Sequence, residues 1–342
     1  MNGRPTLKDV AREAGVHVST ASRALNPATS SVVNPDTLKR VVDAAQKLGY
    51  RPHPLARGLR TNQTMSVGII IPDVENPLFG PIVAGAESVL VEEGYSLLIG
   101  NADRGVEHAE AVIEDMIERH VDGLILATVT REDGQLNAAS AQGIPVVLVN
   151  RTVDDGDVPA IIGDDDAGIA LAVDHLVSLG HRRIGHVAGP SWVSTCITRR
   201  EGFVAAMTRH GLEVGADLIE EAEWYQVEPG ANAAAALLER HPDLTAIVAA
   251  NDLLALGCYR AIRSLGKEVG TDISVTGYND IPLLDLMQPP MTAVRVPHRQ
   301  MGAEAALTLL AMIAGADHHR GTKRLTPTLV VRGSTAPPKE AA

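Results

Sequence analysis

The chain has 342 residues, 45% of them hydrophobic, but no run of eighteen or more apolar residues, which excludes a helical membrane span and leaves room for a small module plus one or two larger ones. Its net charge of -12 argues against a polyanion partner only until the charge is located: up to Thr64, ten Lys or Arg stand against four acids, a net +6 that leaves -18 on the remainder. A basic head on an acidic body is the pattern expected when the head alone meets nucleic-acid phosphates.

The head comes first in the chain. Thr6, followed three residues on by Asp9, makes an N-cap, and Leu7, Val10, Ala11 and Ala14 recur at helical spacing up to Gly15. Gly15 supplies a sharp turn, with Val16 plugging the angle, and a second helix is predicted from Val18 to Leu25. Two short helices joined in this way form a helix-turn-helix, whose second helix enters the major groove. Asn34-Pro35 then opens a third helix, with an apolar stripe of Leu38, Val41, Val42, Ala45 and Leu48 closed by Gly49. A plain three-helix bundle is the alternative, and the local basic excess disfavours it. The segment His53 to Arg60 is one short stretch of potential helix containing Gly58, and alone it is unstable.

The runs TLKDVAREAGVHVSTASRALN and LKRVVDAAQKLGYRPHPLARGLRT resemble the DNA-binding head of the lac-repressor and galactose-repressor family. The resemblance continues through VGIIIPDVENPLFGPIVAGAE, LGHRRIGHVAGP, AANDLLALGCYRAI and SVTGYNDIPL to VRGST, and so covers essentially the whole chain. It implies that Val18, Ser19 and Arg23 read base edges and that Thr20 and Ser22 lie near phosphates. Thr6, His17, Asn26 and Ala56 complete the implied DNA-facing set, with Leu59 as a hinge wedge for the minor groove. Chemistry agrees in part: Arg23 can present a bidentate fork to guanine, whereas Val18 offers only apolar contact. His17 and His53 depart from the family's usual small hydroxyl residue and asparagine.

From Met65 onward, Val- and Ile-rich runs alternate with amphipathic stretches. Strands are predicted at Val67 to Ile71, Tyr95 to Ile99, Gly123 to Ala127, Pro145 to Val149, Arg183 to Val187, Ala246 to Ala249 and Ile273 to Thr276. Helices fall between them at Pro81 to Glu93, Ala109 to Arg119, Ala167 to Leu179 and Arg199 to His210. This alternation predicts α/β architecture, two doubly wound parallel-sheet subdomains like those of periplasmic binding proteins. Ligands of such sheets bind beyond the carboxyl ends of the strands. That rule and the family resemblance select the same candidates: Pro72, Asp73, Asn76 and Phe79 after the first strand, Asn150 after the fourth, and Arg199 heading a helix. Trp224, Asn251, Asn279 and Asp280 follow later strands. Arginine and amide groups can bracket neighbouring hydroxyls while Phe79 and Trp224 offer apolar faces, which suits a sugar.

Asp164-Asp165-Asp166 opens a helix and reads as capping, not as a metal site. Cys196 and Cys258 are too widely separated for a zinc motif or a disulfide framework, and Gly185 to Gly189 lacks any phosphate-loop spacing. The expected division is residues 1-51 for DNA binding, 52-64 for a hinge, and 65-342 for effector binding and dimerisation. The expected function is that of a cytoplasmic, DNA-binding transcriptional regulator, in family terms a repressor. It is expected to act as a homodimer on a pseudo-palindromic double-stranded operator, with a sugar or sugar derivative as effector and with no cofactor or membrane partner. The tail beyond Ala336 lacks the heptad leucines of a tetramerising coil. A free sugar-binding protein is the alternative; it would share the body but not the basic head. No catalytic constellation stands out, so an enzyme is not expected.

Overall fold

The computed structural model describes residues 5-25, 27-50, 63-102, 106-130, 142-153, 158-212 and 214-339. The chain divides into two compact units, Met1–Met65 and Ser66–Ala342.

In the first unit, α1 (Leu7–Ala14) begins at a reciprocal capping box. The Asp9 amide donates to Thr6 Oγ1 at 3.4 Å, and the Thr6 amide donates to Asp9 Oδ2 at 2.9 Å. Gly15, at φ +62°, ends the helix in the left-handed conformation that glycine adopts without strain. Then follow α2 (Val18–Ala24), the single-turn α3 (Pro27–Ser30) that the periodicity did not predict, and α4 (Pro35–Leu48), capped by Asn34 and closed by Gly49. The core of this unit is Val10, Ala11, Ala14, Ala21, Ala24, Val41, Ala44 and Ala45. Small side chains let the helices approach closely but bury little area, so the caps matter more than in a larger domain. Residues 52-62 of the predicted hinge, with His53, Ala56 and Leu59, lie outside the described residues, as does Asn26.

In the second unit the elements in order are β1 (Ser66–Ile71), α5 (Phe79–Glu92), β2 (Ser96–Asn101), α6 (Val106–Glu118), β3 (Gly123–Leu126), β4 (Val146–Val149), β5 (Ala160–Gly163) and α7 (Asp165–Ser178). There follow β6 (Ile184–Ala188), α8 (Ser194–Arg209), β7 (Ile219–Glu221), α9 (Val227–Arg240), β8 (Ala246–Ala249), α10 (Asp252–Ser264) and β9 (Ser274–Asn279). The chain closes with β10 (Thr292–Arg295), α11 (His298–Ile313), β11 (Thr322–Leu325) and β12 (Thr328–Val330). They build two six-stranded sheets of order β11-β5-β4-β3-β1-β2 and β12-β10-β9-β8-β6-β7. Every pairing is parallel except β10 with β12. Central strands such as β3, β4 and β8 are buried on both faces, which explains their unbroken apolar composition.

Helix α7 packs with the second sheet and α11 with the first, so the chain crosses between subdomains after β5, after β10 and after β11. The Asp164 amide donates to the Leu325 carbonyl at 3.0 Å, which ties the first crossing to the third. Helices α5 and α11 meet backbone to backbone: a Cβ on Gly85 would stand 2.0 Å from the Arg299 carbonyl oxygen, and one on Gly302 would stand 1.9 Å from that of Ile82.

Candidate functional site

Two sites emerge, one in each unit. The first is the exposed face of α2. His17, Ser19 and Arg23 are exposed there; Val18, Thr20 and Ser22 are half-buried, and Val18 also packs against the core of its unit. His17 is the N-cap: its Nδ1 accepts from the Ser19 amide at 3.3 Å and lies 2.8 Å from Ser19 Oγ. Ser19 and Arg23, four residues apart, share one helix face, and Arg23 has no ion-pair partner among the described residues. Thr6 sits differently, since its hydroxyl also donates to Asp9 Oδ2 at 2.7 Å and is committed to the cap.

The second site is a cavity of about 500 Å³ lined by residues that follow strands of both sheets. Pro72 and Asp73 come after β1, Asn101 ends β2, Thr128 follows β3, and Asn150 and Arg151 follow β4. From the other sheet come Pro190 and Trp192 after β6, Trp224 and Tyr225 after β7, Asn251 after β8, and Asn279 at the end of β9. Nine of the ten predicted cavity residues line it: Pro72, Asp73, Asn76, Phe79, Asn150, Arg199, Trp224, Asn251 and Asn279. Asp280 does not. Its side chain, only 4% exposed, turns to Arg295 at 2.6 Å and Arg332 at 2.7 Å.

Local bonding shows why amides recur at these strand ends. Asn101 Oδ1 accepts from the Val74 amide at 2.9 Å, Asn76 Oδ1 from Leu78 at 3.1 Å, and Asn251 Oδ1 from Leu254 at 2.8 Å, so each fixes a turn or caps a helix. Asn150 and Asn279 hold positive φ, +66° and +109°, a region in which asparagine is enriched among non-glycine residues. Asn279 is buried, and its Oδ1 has no partner among the described residues.

Arg199 lies within α8, in its second turn, and does not head the helix as the sequence suggested, because the helix already starts at Ser194. Its guanidinium donates to Asp165 Oδ1 at 3.0 Å and to the Ala250 carbonyl at 2.7 Å, and stacks 3.9 Å over the Tyr278 ring. Burial pulls its pKa down; the Asp165 charge and hydrogen bond, together with Tyr278 and Tyr225, more than offset this, so the group stays cationic inside the protein. Next to it, burial pushes the Tyr225 hydroxyl up to about 12 and holds it protonated beside Thr195 Oγ1, 3.3 Å away. Gly189 makes room for that ring: a Cβ there would stand 2.3 Å from it.

The acidic triplet behaves as caps and partners do. Asp164 Oδ1 accepts from the Ala167 amide at 3.3 Å, and Asp165 pairs with Arg199. His181, in the turn before β6, is a structural bridge between Thr245 and the Ala336 carbonyl, 2.9 Å from each. Sequence reasoning missed Asn101, Thr128, Arg151, Trp192 and Tyr225. The strand-end rule reaches Asn101, Thr128 and Arg151, which end or follow strands of the predicted set, but not Tyr225, which follows β7, a strand outside that set, nor Trp192, which lies further along the loop after β6.

A helix-turn-helix unit followed by a two-sheet unit with a cavity at the strand ends defines a DNA-binding regulator built on a ligand-binding body. The comparisons agree along the length of the chain. Residues 6-53 match the family described as bacterial regulatory proteins of the lacI family, and residues 64-329 match the periplasmic binding proteins and sugar binding domain of the LacI family. The HTH-type transcriptional regulator MalR of Streptomyces coelicolor is 38% identical over 339 residues, 96% of each chain, and the repressor CytR of Escherichia coli is 32% identical over 332, again 96% of each. The structure of the lac repressor dimer bound to operator and the anti-inducer ONPF superposes with a TM-score of 0.87 at 31% identity, over 98% of this chain and 100% of that one. The chain belongs to the LacI family and is a helix-turn-helix transcriptional regulator with that family's sugar-binding type of domain. No helix among the described residues is long and apolar enough to cross a membrane.

Proposed function

We propose that this protein represses transcription as a cytoplasmic homodimer and that a sugar in the cavity changes its operator affinity, without catalysis. The observation that carries this reading is the convergence of strand ends from both sheets on one cavity that includes the buried cation Arg199. A ligand there touches both subdomains at once, so its affinity depends on the angle between them. A change of ten- to a hundredfold in operator affinity needs only about 1.4 to 2.8 kcal/mol of coupling.

The proposed division of the chain is residues 1-51 for DNA, 52-64 for the hinge and 65-342 for effector and dimer. Thr6, His17, Val18, Ser19, Thr20, Ser22, Arg23 and Asn26 form the proposed major-groove and phosphate surface, with Ala56 and Leu59 in the minor groove. The charge asymmetry supports this surface, because its unit carries the basic excess. The dimeric state is supported by the assembly named for the lac repressor structure, and the sugar by the cellobiose complex of the regulator CelR, which superposes with a TM-score of 0.75 at 31% identity over 97% of this chain.

The test uses full-length protein and fragmented DNA of the source genome. Retained fragments are expected to share an imperfect inverted repeat, and one member of a sugar panel is expected to release or strengthen binding at least tenfold. Arg23→Ala should remove operator preference while keeping the ligand-induced rise in Tm. Fragments without a common repeat, or loss of both activities in that variant, would overturn the proposal.

A further inference from the structure

The chain has only two tryptophans, and both line the same cavity. Trp192 follows β6 and Trp224 follows β7, on loops of one subdomain, and they remain 41% and 45% exposed. By contrast, Phe79, Phe203, Tyr259 and Tyr278 are each buried to 2% or less. Two large apolar rings left open to water beside a cavity mark a surface that a ligand covers.

Their arrangement selects the ligand's shape. The ring centroids are 5.3 Å apart and the planes meet at 69°, so the pair forms a corner and not a slot. A flat nucleobase is best held between parallel faces, which this pair does not offer. A pyranose is suited instead, because its apolar C–H face stacks on one ring while its edge meets the other. The Arg151 guanidinium lies 6.0 Å from the Trp192 ring centroid and helps hold that ring in place.

The buried part of the lining is polar. Asn150, Arg199, Asn251 and Asn279 supply donors and acceptors there, and Phe79 an apolar face. The cavity of about 500 Å³ lies within the roughly 300 to 1,000 Å³ of pockets that take drug-sized ligands. A hexose has about twelve heavy atoms, well below the size of a drug-like ligand. These polar lining residues are buried and the two tryptophans exposed, so a ring seated on the former leaves the latter for a second ring.

We propose that the effector is a two-ring glycoside, with its inner ring on the asparagine and arginine wall and its outer ring in the Trp192–Trp224 corner. This rests on the sugar-effector reading above and adds the ligand's size and Trp192, paired with Trp224, as a specificity-determining residue.

Intrinsic fluorescence of the full-length protein reads the site directly, because no other tryptophan contributes. The protein is titrated with glucose, galactose, adenosine and a panel of gluco- and galacto-configured disaccharides. At least one disaccharide is expected to change the emission with a Kd tenfold or more below that of either monosaccharide. In Trp192→Ala and, independently, in Trp224→Ala, followed by calorimetry, that preference should fall toward one, and Trp192→Phe should retain it. A monosaccharide that binds as tightly as the best disaccharide overturns the two-ring assignment and leaves the sugar-effector reading standing. A preference unchanged in both alanine variants overturns the role of the corner. Response to adenosine alone, or to nothing in the panel, overturns this proposal and the sugar reading together.

Discussion

Arg199 and Asp165 meet at 3.0 Å, and among the described residues they form the one ion pair with both side chains less than a tenth exposed. Arg199 lines the cavity, whereas Asp165 opens the helix that follows the first crossing between subdomains. A ligand that draws on the guanidinium therefore acts one residue away from Asp164, which ties that crossing to the third. Removing the arginine leaves a carboxylate buried without its counter-charge. Arg199→Met should cost about 3 to 5 kcal/mol in urea unfolding at pH 7 and abolish the ligand-induced rise in Tm. A loss below about 1 kcal/mol would show that the pair is not desolvated in solution.

His186 carries a second, pH-dependent penalty. Its ring is fully buried against Phe203, Nδ1 donates to the Val248 carbonyl at 2.8 Å, and Nε2 has no partner among the described residues. Burial pulls its pKa from 6.5 down to about 4. Below pH 6.5 the unfolded chain binds a proton that the folded chain refuses, so stability falls as the pH drops toward 4, by about 3 kcal/mol from this residue. His298, depressed to about 3 by its own burial, acts in the same sense, whereas Asp252, raised by burial, acts in the opposite one. A variant comparison isolates one group. The stability difference between wild type and His186→Asn, which keeps a donor for Val248, should shrink by about 3 kcal/mol between pH 6.5 and 4. A pH-independent difference would place the ring in contact with water.

The alternation of Val- and Ile-rich runs with amphipathic stretches carries the α/β architecture, because strands buried on both faces need apolar side chains throughout. The strand-end rule similarly brings Asn150, Asn251 and Asn279 to one cavity. What escaped has physical reasons. The crossings after β10 and β11 are only two residues long, and a pair such as Val296-Pro297 has no periodicity to read. Trp192 follows a Gly-Pro loop, where a lone aromatic carries no pattern. Asp280, one residue beyond the site residue Asn279, looks the same in sequence. Only the arginines brought in by β10 and the chain after β12, Arg295 and Arg332, show where its carboxylate goes.

Thr6 combines two expectations, a cap and a DNA contact, and the structure commits its hydroxyl to Asp9. Thr6→Ala should cost α1 about 1 kcal/mol, roughly a fivefold loss of amide protection in hydrogen exchange on the full chain. Thr6→Ser should retain that protection. Unchanged protection in the alanine variant, together with weaker operator binding, would transfer the residue from the cap to the DNA surface.

Asp280 offers the sharpest contrast with its neighbour. Its φ is +57°, so alanine would add backbone strain, whereas asparagine accepts that conformation and removes only the charge. Arg332 is 17% exposed in its side chain and Arg295 is 56%, so the half-buried arginine bears most of the loss. Asp280→Asn should therefore destabilise by about 2 to 3 kcal/mol, below the range for a pair buried on both sides. Because Asp280 does not line the cavity, the Kd for the effector should move by less than threefold. Asn279→Gly keeps the backbone free to hold φ +109° and deletes a lining amide, so it should weaken the effector tenfold or more. Calorimetry beside urea unfolding separates the two. If Asp280→Asn instead weakened the effector as much as Asn279→Gly, the carboxylate would belong to the ligand in the bound state, and its two arginines would have to release it on binding.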